Sequence, residues 1–222
     1  GDACDTNDAD SCADGIFLCK PNGTGTECID QGPVTHYGLD EGSGGIATDL
    51  SGNSHGGSVS GATMQTTAKI GAGSVYMDGS SDYITTPTAG MNNKSGTISL
   101  WLKPDGWSGS SYQAYGIFQT NSGVNSLNWI SVFKWFGNIM YFRLGNSSSC
   151  CSNDLTFAVA PYFPNGIWSH LAVTWDQDSD SMRVYINGSL VASRSNVNWS
   201  ASPIHTLGRF GQGHDQWFRG HM

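Results

Sequence analysis

The sequence predicts an all-β fold: a two-sheet antiparallel sandwich of jelly-roll type, with a small disulfide-stapled segment at its N-terminus. Three observations predict it. Only 13% of the 222 residues are charged while 30 are Gly, a composition that favours many turns over long surface helices. Segments with period-two alternation of apolar residues recur along the chain, and helical periodicity is not evident. About twelve strands exceed what one open sheet holds comfortably, so two packed sheets are expected.

The strongest strand signals lie in the middle of the chain and beyond it. Residues 97–102 place Ile98, Leu100 and Leu102 on one face, and residues 170–175 alternate in the same way. Strands are also expected at 182–186 and 189–192, around the hairpin described next. Further strands are expected at 16–18, 35–39, 57–63, 74–77, 82–86, 115–119, 129–135, 138–144, 155–160, 204–210 and 216–221.

Two turns can be predicted from local chemistry. Asn187-Gly188, flanked by strands, is typical of a type I′ hairpin turn, which needs two positive φ angles. Residues 176–180 (DQDSD) resemble the start of a calcium loop but lack the Gly and the Glu that complete one. We therefore predict a plain turn between two strands there.

The acidic charge is concentrated near the N-terminus, which divides the chain into residues 1–32 and 33–222. The net charge is −8, and residues 1–32 hold seven of the acids against Lys20 alone. The remainder is nearly neutral and has no basic patch, which argues against nucleic acid as a partner. No apolar run approaches the roughly 20 residues of a membrane span, so membrane insertion is not expected.

The six cysteines predict disulfide bonds and an oxidising, extracellular or cell-surface location. Four lie in the acidic segment, where no hydrophobic core could order the chain; zinc is the alternative, but no Cys-x-x-Cys pair occurs. The adjacent pair leaves three options open: a vicinal disulfide, two separate bonds, or a copper-type thiolate site. We expect disulfide bonding, with partners undefined. The predicted disulfide cysteines are Cys4, Cys12, Cys19, Cys28, Cys150 and Cys151.

Several segments of the body resemble laminin-G-like, concanavalin-A-like (pentraxin-type) domains. The resemblance covers about residues 33–222 and is specific as a set rather than singly. It rests on HYGLDEGSG (36–44), DLSGNSHGG (49–57), VYMDGSSDYI (75–84), GTISLWL (96–102), WSHLAVTW (168–175) and YING (185–188). The acidic segment resembles thrombospondin type 3 repeats and the metal-binding repeats of bacterial surface proteins. The resemblance implies a concanavalin-A-like sandwich that binds rather than catalyses.

The resemblance also implies a structural calcium ion at the 49–57 loop. Asp49 offers a carboxylate, and the tight turn at Ser51 to Asn53 brings carbonyl oxygens together, which are ligands that calcium accepts. Asp49 and Asn53 are therefore candidate ligands. The alternative is an Asx-type turn in which Asp49 accepts backbone N–H bonds.

A second candidate calcium site lies in the acidic segment. Its aspartates sit on a Cys-pinned loop without a core, where ions and disulfides are the natural means of ordering. The alternative is a solvated acidic linker. The candidate ligands are Asp5, Asp8, Asp10 and Asp14.

The eight tryptophans divide by position. The resemblance assigns Trp101, Trp168 and Trp175 to core positions. Trp107, Tyr112 and Trp199 instead lie in Ser-, Gly- and Asn-rich loops, where exposed rings could stack on sugars. The alternative is that these rings pack over the ends of the sandwich.

Catalysis has little support in the sequence. Glycoside hydrolases need two carboxylates flanking the scissile bond. Glu occurs only as Glu27 and Glu41, both in expected loops, and no Ser-His-Asp set can be assigned.

The resemblance implies one more strand, carrying an acid, directly after residues 218–222. Two interpretations follow: the sequence is part of a longer chain, or a neighbouring subunit supplies the strand, since an open sheet edge is a template for strand addition. We expect a non-catalytic extracellular binding or adhesion module for glycans or surface proteins, stabilised by calcium. The alternatives are a filament subunit that binds copies of itself, and an accessory carbohydrate-binding module of a secreted hydrolase.

Overall fold

The computed structural model describes residues 16–19, 26–29, 32–91, 94–107, 114–120, 129–145, 153–197, 199, 207–213 and 216–222. Strands β1 to β10 are Ile16–Cys19, Thr26–Ile29, Ile46–Ala47, Gly57–Ser60, Thr63–Gln65, Ser74–Asp78, Tyr83–Thr86, Ser95–Pro104, Tyr115–Thr120 and Ile130–Trp135. Strands β11 to β19 are Ile139–Leu144, Asp154–Ala158, Ser169–Asp176, Ser181–Ile186, Ser189–Ser195, Gly208–Phe210, Gln212–Gly213, Gln216–Trp217 and Arg219–His221. A short 3-10 helix, Phe136–Asn138, precedes β11.

Two large antiparallel sheets form a sandwich, as the sequence predicts. One has eight strands in the order β12-β11-β10-β9-β16-β7-β4-β3, and the other has seven in the order β15-β14-β13-β8-β19-β6-β5. Two small two-stranded sheets, β1-β2 and β17-β18, complete the described strands. Within the described residues, no helix is long and apolar enough to cross a membrane.

The predicted alternation places the core between the sheets. Along β13, buried and half-buried residues alternate without exception, and Leu171, Val173 and Trp175 point inward. On the neighbouring strand β8, Leu102 is fully buried, whereas Ile98 and Leu100 are only half-buried. Side chains of both sheets contribute to one continuous hydrophobic cluster.

Both predicted turns are confirmed. Asn187 and Gly188 have φ angles of 50° and 80°, as a type I′ turn requires. Between β13 and β14, the Asp176 carboxylate accepts a bond from the amide of Asp178, and Asp180 adopts a φ of 48°. The 176–180 segment is thus a plain turn in which the Asp176 side chain is hydrogen-bonded to the turn's own backbone.

Three predicted strands differ in the structure. Residues 35–39 form only a single bridge, Tyr37 to Asp49, because Leu39 takes a φ of 59° and interrupts the extended backbone. The 57–63 segment divides into β4 and β5 at Gly61, whose φ is 74°. The 216–221 segment divides into β18 and β19. Near the N-terminus, β2 was not predicted from the sequence.

Candidate functional site

The Asp49 loop is organised around the Asp49 carboxylate. One oxygen accepts bonds from the amides of His36 (2.9 Å) and Ser51 (3.0 Å). The other accepts bonds from the Ser51 hydroxyl (2.7 Å) and the His55 amide (2.8 Å). This is the Asx-type turn of the sequence analysis, extended by a bond to His36, which lies 13 residues earlier in the chain.

The same bonds determine the charge of Asp49. Burial by itself would raise the pKa of its carboxyl, but hydrogen bonds from His36, Ser51 and His55 together outweigh burial and hold the pKa well below its usual range. An ionised carboxylate offers about four acceptor positions, and all four are taken by protein donors.

In the structure, the candidate ligands Asp49 and Asn53 are engaged in hydrogen bonds within the protein, and calcium binding at this loop stays a prediction. The Asn53 side-chain amide donates to the carbonyls of Pro33 (3.1 Å) and Val34 (3.2 Å), which engages two carbonyl oxygens nearby. In the described part of the chain, no three His, Cys, Asp or Glu side chains gather into one cluster. The residues instead form a clasp that ties residues 33–36 to the 49–55 loop.

Two of the predicted ligand-binding rings are buried, which is a correction. Trp107 is 1% exposed and Trp199 is 3% exposed, and both belong to the hydrophobic core. Trp107 contacts Phe163 and Phe218 in the core. The physical reason is the alternative given above: large apolar rings that close the ends of the sandwich gain more from burial than from exposure.

The third predicted ring and most of the predicted cysteines and acidic ligands lie outside the described residues. These are Tyr112, Cys4, Cys12, Cys150, Cys151, Asp5, Asp8, Asp10 and Asp14. Cys19 lies on β1 and Cys28 on β2. In the strand register, Cys19 lies opposite Thr26 and Cys28 lies opposite Phe17. The disulfide and calcium predictions for this segment stay predictions.

A small pocket lies beside β18 and β19 and carries both aromatic and charged groups. Its volume is about 320 Å³, within the range of small-molecule sites. Three rings belong to its lining, and one of them, Phe136, is 49% exposed. The lining residues are Asp78, Gly79, Ala114, Tyr115, Phe136, Gln216, Trp217 and Arg219.

Two of these rings are held in place by stacking. The buried ring of Tyr115 lies 5.5 Å from Trp107 with an interplanar angle of 16°. Trp217 stacks on Tyr83 at 5.8 Å, and the guanidinium of Arg209 lies 4.8 Å from the Tyr83 ring centre. Trp107 therefore supports the pocket from behind rather than lining it.

The charged groups are fixed at the rim. The Arg219 guanidinium is 3.2 Å from the Asp105 carboxylate, with both side chains about half exposed. Tyr76 donates to the same Asp105 oxygen at 3.3 Å. Asp78 accepts a bond from the Ser80 amide at 2.7 Å. The pocket thus combines aromatic surfaces with one cation and one anion whose positions are set by neighbours.

Two tryptophans assigned to core positions are not in the core. Trp175 is buried, as expected, but Trp101, on β8, and Trp168, directly before β13, are only half-buried. Trp101 lies 5.1 Å from the ring of His170, and Trp168 lies 6.0 Å from His221. Strand parity explains this for Trp101, since its neighbours Leu100 and Leu102 take the inward positions.

Sequence reasoning did not select Trp217 and Phe136, which line the pocket. For Trp217 a signal exists: it is followed by the fully buried Phe218, so alternation directs it away from the core. Phe136 follows Trp135 in a tight turn, and nothing in the sequence distinguishes its exposed ring from a core residue.

Comparison with known proteins identifies related folds. The profile of the Laminin_G_3 family, described as the concanavalin A-like lectin/glucanases superfamily, matches residues 78–222. No curated protein gives a significant sequence match.

Among solved structures, one similar fold is domain 4 of AbnA, a GH43 extracellular arabinanase from Geobacillus stearothermophilus, in complex with arabinotriose. It is 23% identical with a TM-score of 0.59, and the match covers 84% of this chain and 87% of that domain. The ligand-binding domain of botulinum neurotoxin serotype D, in complex with N-acetylneuraminic acid, is 20% identical with a TM-score of 0.58, covering 79% of this chain and 43% of that one. Mouse laminin α1 domains LG4-5 are 13% identical with a TM-score of 0.50, covering 67% and 38%. At these identities the likeness establishes the fold.

Proposed function

Because the chain belongs to the Laminin_G_3 family of concanavalin A-like lectins and glucanases, we propose that it is a non-catalytic module that binds carbohydrate. The observation that carries the proposal is the pocket formed by Tyr115, Phe136 and Trp217 with Asp78 and Arg219 at its rim. Two solved relatives of the same fold are described in complex with sugars, arabinotriose and N-acetylneuraminic acid.

The composition of the pocket suits a sugar ring. One side of a sugar carries C–H groups that pack on an aromatic face, while its hydroxyls need donors and acceptors at the edge. Trp217 and Phe136 supply apolar surface, and Gln216, Asp78 and Arg219 supply hydrogen-bonding groups. Because Trp217 is already stacked on Tyr83, little side-chain freedom is lost on binding.

The test is titration calorimetry with arabinotriose and with N-acetylneuraminic acid. We expect saturable binding of at least one of them, weakened at least tenfold by Trp217→Ala or Phe136→Ala, which corresponds to about 1.4 kcal/mol. Leu190→Ala is the matched control, because Leu190 is also an exposed apolar residue, at 53%, and lies on the distant edge strand β15. Binding that survives both pocket variants would exclude this pocket as the site.

A catalytic role is tested on the same material. Glycoside hydrolysis ordinarily uses two carboxylates, and Asp78 is the acid that lines the pocket. We expect no new reducing ends when arabinotriose is incubated with the protein. Sugar release that disappears in Asp78→Asn would show that the module is an enzyme.

We also propose that the chain works outside the cell, stabilised by disulfides and by calcium in its acidic N-terminal segment. The composition of residues 1–32, with four cysteines and seven acids, supports this. The second candidate function is an accessory carbohydrate-binding module of a secreted hydrolase; the fold of the arabinanase domain favours it. Detection in an extract of this chain covalently joined to a hydrolase would support this second function.

A further inference from the structure

A row of polar side chains crosses the eight-stranded sheet on the face that points away from the core. Its members lie directly opposite one another in the strand register, so their Cβ atoms are about 5 Å apart from strand to strand. Their chain neighbours Phe118, Ile130 and Phe142 belong to the hydrophobic core, which fixes the direction of the row. We call it the polar row; from β12 to β7 it comprises Asp154, Arg143, Ser131, Gln119, Arg209 and Thr85.

Two adjacent members of the polar row, Gln119 and Ser131, are buried without a hydrogen-bond partner. Gln119 is 3% exposed and Ser131 is fully buried. Among the described residues, none bonds to the side-chain NH₂ group of Gln119 or to the Ser131 hydroxyl. Leaving a buried donor unpaired is destabilising, and such groups mark the place of a bound water, ion or ligand. The two side chains therefore indicate an occupant that carries acceptor atoms.

Arg143, on one side of Ser131, is already neutralised. Its Nε and Nη2 atoms donate to the two carboxylate oxygens of Asp154, at 2.5 Å and 2.7 Å. Its guanidinium also lies 5.1 Å from the ring centre of Phe133 and 5.5 Å from that of Trp129, and both rings are buried. This end of the polar row therefore has no net charge to offer a ligand.

Arg209, on the other side of Gln119, is a cation without a carboxylate partner. Its Nη1 atom donates to the side-chain carbonyl oxygen of Gln212 at 2.8 Å, and its guanidinium lies 4.8 Å from the ring centre of Tyr83. No ion pair joins it to an acid in the part of the chain that the structure describes. Because Arg209 is half-buried whereas Gln119 is buried, a ligand would reach the polar row from the Arg209 end.

We propose that Arg209, Gln119 and Ser131 form a binding site for an oxyanion, the carboxylate or sulfate group of a small ligand. All three side chains present N–H or O–H donors, and one of them carries a positive charge. An oxyanion offers only acceptors, so it would pair both buried donors and neutralise Arg209, whose planar guanidinium matches its geometry. A water molecule would pair the buried donors but leave the charge of Arg209 uncompensated.

The oxyanion site is separate from the carbohydrate pocket, since its three residues differ from those that line the pocket. The two are neighbours, because Tyr83 contacts the Arg209 guanidinium and stacks on Trp217 at 5.8 Å. Phe136→Ala should weaken the binding of arabinotriose and leave the oxyanion site intact. Failure of one proposal is thereby distinguishable from failure of the other.

The probes are glucuronate, inorganic sulfate and glucose, titrated at constant ionic strength while the NMR signals of the Gln119 side-chain NH₂ group are followed. Glucuronate carries a carboxylate on the ring of glucose, so glucose is its uncharged counterpart. We expect saturable shifts with the anions and none with glucose. Saturation by glucuronate alone would assign the site to a carboxylate ligand, and saturation by sulfate alone to a sulfate group. No saturable shift, or equal shifts with glucose, would overturn the proposal.

Variants at two positions locate the bound anion. Arg209→Ala should weaken anion binding about tenfold or more, whereas Arg183→Ala, which removes an exposed cation from β14 in the other sheet, should change it by less than about twofold. Gln119→Glu should abolish binding, because the introduced carboxylate lies beside Arg209 and takes the place of the ligand's oxyanion. Anion binding that survives both Arg209→Ala and Gln119→Glu would contradict this site.

Ser131→Ala gives a readout that needs no ligand. Removing a buried hydroxyl that has no partner should leave the melting temperature unchanged or raise it. Ser169→Ala is the control, because Ser169 is also buried on a strand, at 1% exposed, but its hydroxyl donates to the carbonyl of Tyr162 at 2.9 Å. That variant should melt at a lower temperature. A comparable fall in Ser131→Ala would show that the Ser131 hydroxyl is already paired within the protein, and the site would be wrong.

Discussion

Replacing Asp49 with alanine should destabilise the domain by about 3 kcal/mol. The carboxylate accepts four hydrogen bonds, from the amides of His36, Ser51 and His55 and from the Ser51 hydroxyl. A bond to a charged acceptor contributes about 1.5–3 kcal/mol when buried, and less here because Asp49 is only half-buried and water replaces part of the loss. For a domain of this size the melting temperature should fall by about 6–12 °C.

Replacing Asp49 with asparagine should lower the free energy of unfolding by about half as much as the alanine replacement does. Its carbonyl oxygen can keep one pair of bonds, but its NH₂ group then faces the His55 amide, so two donors meet. Thermal unfolding followed by circular dichroism gives both values. Asp178→Ala is the control, since Asp178 lies on a turn with its side chain 74% exposed and forms a surface ion pair with Lys94.

The Asp49 contribution should also depend on pH in one direction. Because the folded-state pKa of Asp49 lies below its unfolded value, the stabilisation is complete above the unfolded pKa of about 3.9 and is lost as the pH falls toward the folded pKa. The difference between the parent and Asp49→Ala should therefore be constant from pH 5 to 7 and shrink in stronger acid. The stabilising role of the Asp49 hydrogen bonds would be refuted if Asp49→Ala lowered the free energy of unfolding by less than about 0.5 kcal/mol at pH 7. It would also be refuted if the difference in stability between the parent and the variant grew in acid.

Three further predictions concern the core, the ions and the thiols. Trp107→Ala should cost about 3–5 kcal/mol, because the ring is fully buried in the core; a denaturant titration that shows less than 1 kcal/mol would place the ring at the surface. Calcium should raise the melting temperature of the parent and of Asp49→Asn alike, but not that of a variant with Asp8 and Asp10 changed to Asn. A calcium-induced rise that is lost only in Asp49→Asn would identify the Asp49 loop as the calcium site. Alkylation before reduction should label none of the six cysteines, and labelled thiols in mass spectrometry would count against the extracellular proposal.

The sequence predicted the sandwich because its strongest signals are local. Alternation along β8 and β13 sets which side chains face the core, and Asn187-Gly188 selects its turn by φ alone. The strand expected at 35–39 was wrong because a strand depends on a neighbour, and a single bridge to Asp49 is what the structure provides. Non-local pairing of that kind leaves little trace in composition.

The candidate site was harder to predict, since exposure of a ring depends on what covers it. Trp107 lies in a loop of small polar residues and yet is covered by Tyr115 and Phe218. Trp101 lies in a strong apolar strand and yet points outward because of its parity. Loop membership therefore misassigned Trp107, and the family resemblance misassigned Trp101, which the parity of its strand alone would have placed correctly.

The stack of Tyr115 on Trp107 joins the pocket to the core. A change at Trp107 alters folding and recognition together, so selection for a new ligand can seldom use that position. Trp217 and Phe136 are at the surface of the site, with Phe136 half exposed, and can be exchanged at little cost to the fold. Among related modules, ligand preference should therefore diversify at the positions of Trp217 and Phe136, while the two stacked rings vary only as a pair.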